Sequence, residues 1–162
     1  MNAIDQAAEA AGSKKKPLER DQEGRRRLRH LELLLEVTRR MAGYGTLDDV
    51  LQALVEMTTT ELNAERGSLF LNDPDTNELY SRVAQGNIQR EIRILNSSGV
   101  AGYVYTAGEA LIIHDAYADD RFNRSIDEQT GFTTRNILCV PIKTVKGEII
   151  GVAQTLNKRT GK

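Results

Sequence analysis

The spacing of apolar and polar positions changes period along the chain. Between about Glu23 and Met41, Leu28, Leu31, Leu35 and Thr38 recur at steps of three and four, Leu34 and Val37 widen the stripe, and Arg and Glu fill the opposite side. That period predicts an amphipathic helix with the steps of a coiled-coil seam. Such a stripe suits packing on its own domain or against the same helix of a second subunit, and it is too short to choose between them. "GYG" at 43–45 breaks the helix. Thr46 then offers an N-cap, with Asp48 and Asp49 near the positive end of the dipole. Leu47, Val50, Leu51, Leu54, Val55 and Leu62 supply the apolar face of a second helix ending near Asn63.

After Asn63 the pattern becomes that of strands. "RGSLFLN" and "LYSRVAQ", joined by the turn chemistry of "DPDTNE", predict a hairpin. "REIRILN" alternates Ile92 and Ile94 against Arg93, as a half-buried strand does. "SSGVAGYVYTAG" reads as a helix entered through serines and Gly99 and left at Gly108. "EALIIHD" predicts a short strand, and "AYADDRFNRSIDEQTG" a polar segment of loop and short-helix character. "RNILCVPIKT" and "GEIIGVAQTLNK" predict two strong strands across a tight "VKG" turn. Strands joined mostly by short turns, with helices to cover them, predict an antiparallel sheet in an α+β domain.

In "TGFTTRNILCVPI", Thr130 to Ile142, hydroxyl, guanidinium and amide side chains run straight into an apolar strand. This suits a strand whose mouth faces a polar ligand. It suits equally a loop with its own satisfied hydrogen-bond network.

Composition narrows the function classes. The 162 residues allow one domain with a real core and an appendage. Hydrophobic content of 40% and charged content of 28% describe a soluble globular chain, and a net charge of −1 gives no global argument for nucleic acid. No apolar run approaches the ~20 residues of a membrane span. Residues 1–24 are polar, lack a signal-peptide core and are expected to form a disordered tail in a cytoplasmic protein; "KKK" and "RRR" read as solvated charge. The expected organisation is that tail, a coiled-coil-like helix over 25–44 and a domain over 45–162. One cysteine excludes an internal disulfide and a cysteine-based zinc cluster, and Cys139, among Ile137, Leu138 and Val140, is expected to be buried and inert. His114 with Asp115, Asp119 and Asp120 lacks paired-histidine spacing and reads as loop capping, not a metal site.

From about Thr46 to Lys158 the stretches "RGSLFL", "EIRI", "GVAGYVYTAGEALIIHDAYADDRFNRSID", "TGFTTRNILCVPI" and "GEIIGVAQTLNK" share content, order and spacing with one family. The sequence resembles a GAF domain, nearest to those of cyclic-nucleotide phosphodiesterases and cyanobacterial-type adenylate cyclases. The resemblance implies a six-stranded antiparallel sheet, helices packed on one face and a ligand pocket on the other, preceded by an N-terminal helix. It implies a regulatory module with no catalytic residues of its own, binding cAMP or cGMP, dimerising through flanking helices and signalling to an attached cyclase, phosphodiesterase or other output domain. The alternative is a dimerisation and signal-transmission module with an empty or differently occupied pocket. The resemblance assigns ligand-facing positions to Ser68, Ala84, Gln85, Val100, Ala101, Asn123, Asp127, Thr130, Thr134 and Gln154. Of these, Val100 and Ala101 would offer backbone N–H groups to a phosphate at a helix start, while Ala84 and Gln85 stand where some members place an aromatic residue and an acid. Asn157 and Lys158 match the opening of a structural Asn-Lys…Phe…Asp-Glu motif whose second half, with the closing helix, is absent, so the domain is expected to be C-terminally truncated. Arg121, Arg124 and Arg135 read as solvated surface rather than as phosphate ligands. Two relatives' chemistries are disfavoured: methionine-sulfoxide reduction needs resolving thiols, and a covalent bilin needs a cysteine outside a strand. No metal, cofactor, nucleic acid or membrane is expected as a partner.

Overall fold

The structure is a computed structural model that describes residues 17–41, 43, 45–86 and 91–159. It divides into two compact units at Gly43/Tyr44. The first contains helix α1, Pro17–Met41. It begins six residues before the leucine stripe predicts, because Pro17 is preset for a first helical turn and its missing N–H costs nothing there. Part of the expected tail is therefore helical, and residues 1–16 lie outside the described residues. Within α1, Leu28, Leu31 and Leu35 expose 59%, 56% and 59% of their surface.

The second unit opens with α2, Leu47–Glu61, whose start is a complete capping box. The Thr46 hydroxyl accepts the Asp49 N–H, and the Asp49 carboxylate accepts the Thr46 N–H, both at 3.2 Å. Six antiparallel strands follow: β1 Ala64–Asp73, β2 Glu78–Ala84, β3 Arg93–Leu95, β4 Leu111–Ile113, β5 Ile137–Lys143 and β6 Ile149–Lys158. They lie in the order β3-β2-β1-β6-β5-β4. Helix α3, Gly99–Ala107, a 3₁₀ turn at Ala116–Ala118 and helix α4, Arg124–Thr130, occupy the crossover from β3 to β5 with β4 among them. The expected strands are all present, with β3 and β4 shortened to three residues each, as befits sheet edges.

The two faces of the sheet differ. α2 covers one, packing Val55 against Leu69 and Val83. The other holds the main core, where Val100, Ala101 and Val104 of α3 meet Phe70, Ile137, Cys139 and Val152. The central pair β1 and β6 approach so closely that a Cβ on Gly151 would run into the Phe70 carbonyl oxygen.

Cys139 is completely buried in that core, and burial pushes its thiol up to about 12. Only thiolate is nucleophilic. In native protein at about pH 8, Cys139 is therefore expected to resist a thiol reagent that labels the denatured chain within minutes, its rate following global unfolding. Fast stoichiometric labelling without denaturant would contradict this placement.

Candidate functional site

A cavity of about 120 Å³ lies over the sheet face opposite α2, and all ten sequence-predicted ligand positions line it. Strand register explains the floor. Ala84, Ser68 and Gln154 are direct cross-strand partners on β2, β1 and β6, so their side chains share one face, with Cys139 of β5 next in the row. The Gln154 side chain, its cross-strand neighbour, favours the Cys139 thiolate that burial disfavours. Gln85, just past β2, turns its amide back into the scaffold. Its Oε1 accepts the Gly67 N–H at 2.9 Å and its Nε2 donates to the Thr59 hydroxyl at 3.5 Å. The resemblance makes Gln85 a ligand-facing position, and it does line the cavity, but its amide is spent on Gly67 and Thr59.

One wall is the start of α3, with Ser98, Gly99, Val100 and Ala101. Ser98 is the N-cap residue but makes no side-chain capping bond. The first-turn N–H groups thus keep the orphan character of a helix start on the cavity side.

The roof is the segment from the 3₁₀ turn through α4, closed by a buried polar knot. Asp127 and Thr134 are 5% and 2% exposed. The Asp127 carboxylate accepts the Thr134 N–H at 2.6 Å, the Thr134 hydroxyl at 2.7 Å and the Tyr117 hydroxyl at 3.1 Å. Thr130 lines the cavity, yet its hydroxyl donates to the Ile126 carbonyl at 2.8 Å within α4. Asn123 caps α4, its Oδ1 accepting the Ser125 N–H at 3.0 Å and hydroxyl at 2.7 Å. The threonine-rich mouth of β5 is thus in large part an internal network, the second of the two readings of that stretch, and it also borders the cavity.

The hinge behind Thr134 is organised by Asn157, fully buried with φ of 57°. Its Oδ1 accepts the N–H groups of Arg135 at 2.6 Å and Asn136 at 3.4 Å. Its Nδ2 donates to the Thr133 carbonyl at 2.8 Å and to Glu65 at 2.9 Å. Those bonds from Asn157, then from Arg135, hold the Glu65 carboxyl below the usual carboxylate range. Lys158 takes part through its backbone N–H, which donates to Asn136 Oδ1 at 2.8 Å. Asn136 thus ties the loop to backbone through its side-chain oxygen, whereas Arg135 reaches the Glu65 side chain at 2.7 Å.

Arg121 and Arg124 are also bound to protein groups. Arg121 grips Asp119 at 2.6 Å and holds its carboxyl down at about 2. Arg124 donates to the Tyr117 carbonyl at 2.8 Å. Asp115 accepts the Tyr117 N–H at 3.2 Å, the capping role its position predicts. Among the described residues no cluster of His, Cys, Asp and Glu could hold a metal ion, and no helix is long and apolar enough to cross a membrane.

Sequence reasoning missed Arg66, Phe132 and the apolar lining that includes Phe70, Ile92, Ile94, Ile137 and Leu156. A signal for two of them was present. Arg66 and Phe70 each lie two residues from Ser68 on one strand, so period two places all three on the cavity face.

A family model described as "GAF domain" matches residues 46–161. A Caenorhabditis elegans protein described as "Probable 3',5'-cyclic phosphodiesterase pde-5" is 38% identical over 128 residues, which are 72% of this chain and 17% of that protein. The Drosophila melanogaster "Dual 3',5'-cyclic-AMP and -GMP phosphodiesterase 11" is 37% identical over 146 residues, 80% of this chain and 10% of that protein. The chain thus spans less than a fifth of the length of either relative. Among solved structures, the GAF domain of a Coxiella burnetii phosphoenolpyruvate-protein phosphotransferase superposes with a TM-score of 0.70 at 22% identity, covering 79% of this chain and 77% of that one. A free methionine-R-sulfoxide reductase from Neisseria meningitidis gives 0.65 at 18% identity, covering 79% and 74%. At these identities the superpositions describe a shared fold alone.

Proposed function

The chain belongs to the GAF domain family, a family of regulatory and sensor domains, and we propose that it is a sensor module that binds a cyclic nucleotide, cAMP or cGMP, in the cytoplasm. In this reading the bound nucleotide signals to an attached cyclase, phosphodiesterase or other output domain. The observation that carries it is the convergence of ten separately assigned residues on one largely apolar cavity with uncapped amides at one wall. A flat base suits the largely apolar lining, and a monoanionic phosphate suits the start of α3.

Size adds a mechanical consequence. Sites for small organic ligands run to roughly 300–1,000 Å³. At about 120 Å³ this cavity must widen, and the roof over 116–131 is the part built to give. It is held by one buried knot and a few apolar anchors, Phe122 and Ile126 among them, rather than by a ladder of strands. Displacing it would move the hinge that Asn157 ties to β1 and β6, which is a route from ligand to chain end.

The test is a thermal melt of the purified chain with each nucleotide. At a hundredfold excess over Kd, binding adds about 2.7 kcal/mol, which raises the melting temperature of a domain this size by ~10 °C. No rise with either nucleotide at millimolar concentration would leave the second reading, a module that dimerises and transmits helix movement. That reading has its own observation, the exposed Leu28, Leu31 and Leu35 at coiled-coil spacing. Native mass spectrometry reads subunit number and bound nucleotide together; a monomer at every concentration would argue against pairing through α1.

A further inference from the structure

Arg66 is the only basic side chain in the cavity wall among the described residues. Its Cζ sits 3.9 Å from the centroid of the Phe132 ring. Gly86, with φ of 117°, closes on the same guanidinium: a Cβ there would stand 2.7 Å from Arg66 Cζ and 2.8 Å from Nη1. The group is therefore held in place by an aromatic face and by a glycine that leaves it room. Elsewhere in the domain, Arg82, Arg93, Arg121 and Arg135 each grip a carboxylate. Arg66 has no such partner among the described residues. Arg66 is half-buried, so water shares its charge, but its guanidinium is spent on no protein carboxylate and stands at the cavity for a ligand to use.

A stacked guanidinium keeps its in-plane N–H groups free. It offers up to five donors and no acceptor. A 6-oxopurine presents two adjacent acceptors, O6 and N7, to such a fork. A 6-aminopurine presents N7 beside an amino group, which is a donor facing donors. We propose that Arg66 selects a 6-oxopurine cyclic nucleotide, cGMP over cAMP, by pairing its guanidinium with O6 and N7 of the base. This rests on the sensor reading above and adds the ligand's base to it. Ala84, small and on the same floor row as Ser68, leaves space for the ring beside that fork.

The experiment is calorimetric titration of the intact chain with cGMP, cIMP and cAMP. The first two share O6 and N7, and only the first carries the 2-amino group. cGMP and cIMP are expected to bind alike, and cAMP about ten- to hundredfold more weakly. Arg66→Met should weaken cGMP and cIMP by about that factor while leaving cAMP within about threefold of its own value. Arg66→Lys, which keeps the charge and loses the fork, should fall between. A loss shared equally by all three nucleotides would assign Arg66 to the phosphate or to the fold and overturn the proposal, as would cAMP binding as tightly as cGMP. Should Arg66→Met not fold, the unaltered protein decides with 7-deaza-cGMP, expected about tenfold weaker than cGMP; equal affinity overturns the proposal. No saturable binding of any of these nucleotides is the separate result that ends the sensor reading itself.

Discussion

Asn157→Ala should lower the stability of the domain by about 3 kcal/mol and its melting temperature by ~10 °C. The side chain is fully buried and uses both ends of its amide: the Arg135 and Asn136 N–H groups on Oδ1, the Thr133 carbonyl and Glu65 on Nδ2. Alanine withdraws all of these at once and leaves backbone groups without partners at a cost of about 1–3 kcal/mol each, less whatever water recovers. A second cost is conformational. Asn157 has φ of 57°, a left-handed value that asparagine tolerates and alanine resists by about 1 kcal/mol. Asn157→Gly loses the same hydrogen bonds without that strain. The expected order under urea denaturation is therefore wild type, then glycine, then alanine, with about 1 kcal/mol between the two variants. Alanine within ~0.5 kcal/mol of wild type would mean that the hinge is not held through this amide. Alanine no worse than glycine would mean that the backbone relaxes out of the left-handed region.

The fold was legible because its signals are local and repeat. Alternation in "RGSLFLN", "LYSRVAQ" and "GEIIGVAQTLNK" is a direct consequence of pleating, and the Thr46/Asp49 box declares a helix start in four letters. The candidate site was legible in position but less so in chemistry. Resemblance brought all ten residues to the lining of one cavity, yet it did not reveal that the Gln85 amide, the Thr130 hydroxyl and the Asn123 amide are engaged by protein partners. Which partner a polar side chain takes depends on groups brought near by folding: Gln85 meets Gly67 and Thr59, 18 and 26 positions away. The same reason hid the surroundings of Arg66, although period two from Ser68 places it on the cavity face. Its contacts with Phe132 and Gly86 join three segments that no local pattern links. The start of α1 at Pro17 precedes the leucine stripe for a different cause: polar composition masks the one residue, Pro17, that marks a helix entrance.

Asp127→Ala should loosen the roof more than any other single change in it, with a loss of about 3 kcal/mol. Three donors converge on this carboxylate: the Thr134 N–H and hydroxyl and the Tyr117 hydroxyl. They connect three otherwise separate pieces, namely α4, the mouth of β5 and the 3₁₀ turn. Removing the acceptor leaves the Thr134 N–H buried without a partner, whereas the two hydroxyls can rotate to find others. Asp127→Asn separates charge from hydrogen bonding. The amide keeps one acceptor for the Thr134 N–H, and its NH₂ can donate to the Thr134 or Tyr117 oxygen once that hydroxyl turns, so the asparagine variant should lose only ~1 kcal/mol. Hydrogen exchange localises the effect. With alanine, amides over 116–134 should exchange at least tenfold faster while the amides of β1 and β6 slow or speed only with global stability. A roof that gives more readily lets the cavity widen at less cost, so ligand affinity should rise by up to the factor by which opening is favoured. If alanine accelerated exchange uniformly across the sheet, Asp127 would be a core residue like any other. If it accelerated none, the knot would not be what holds the roof down, and a ligand could not work by prising it open.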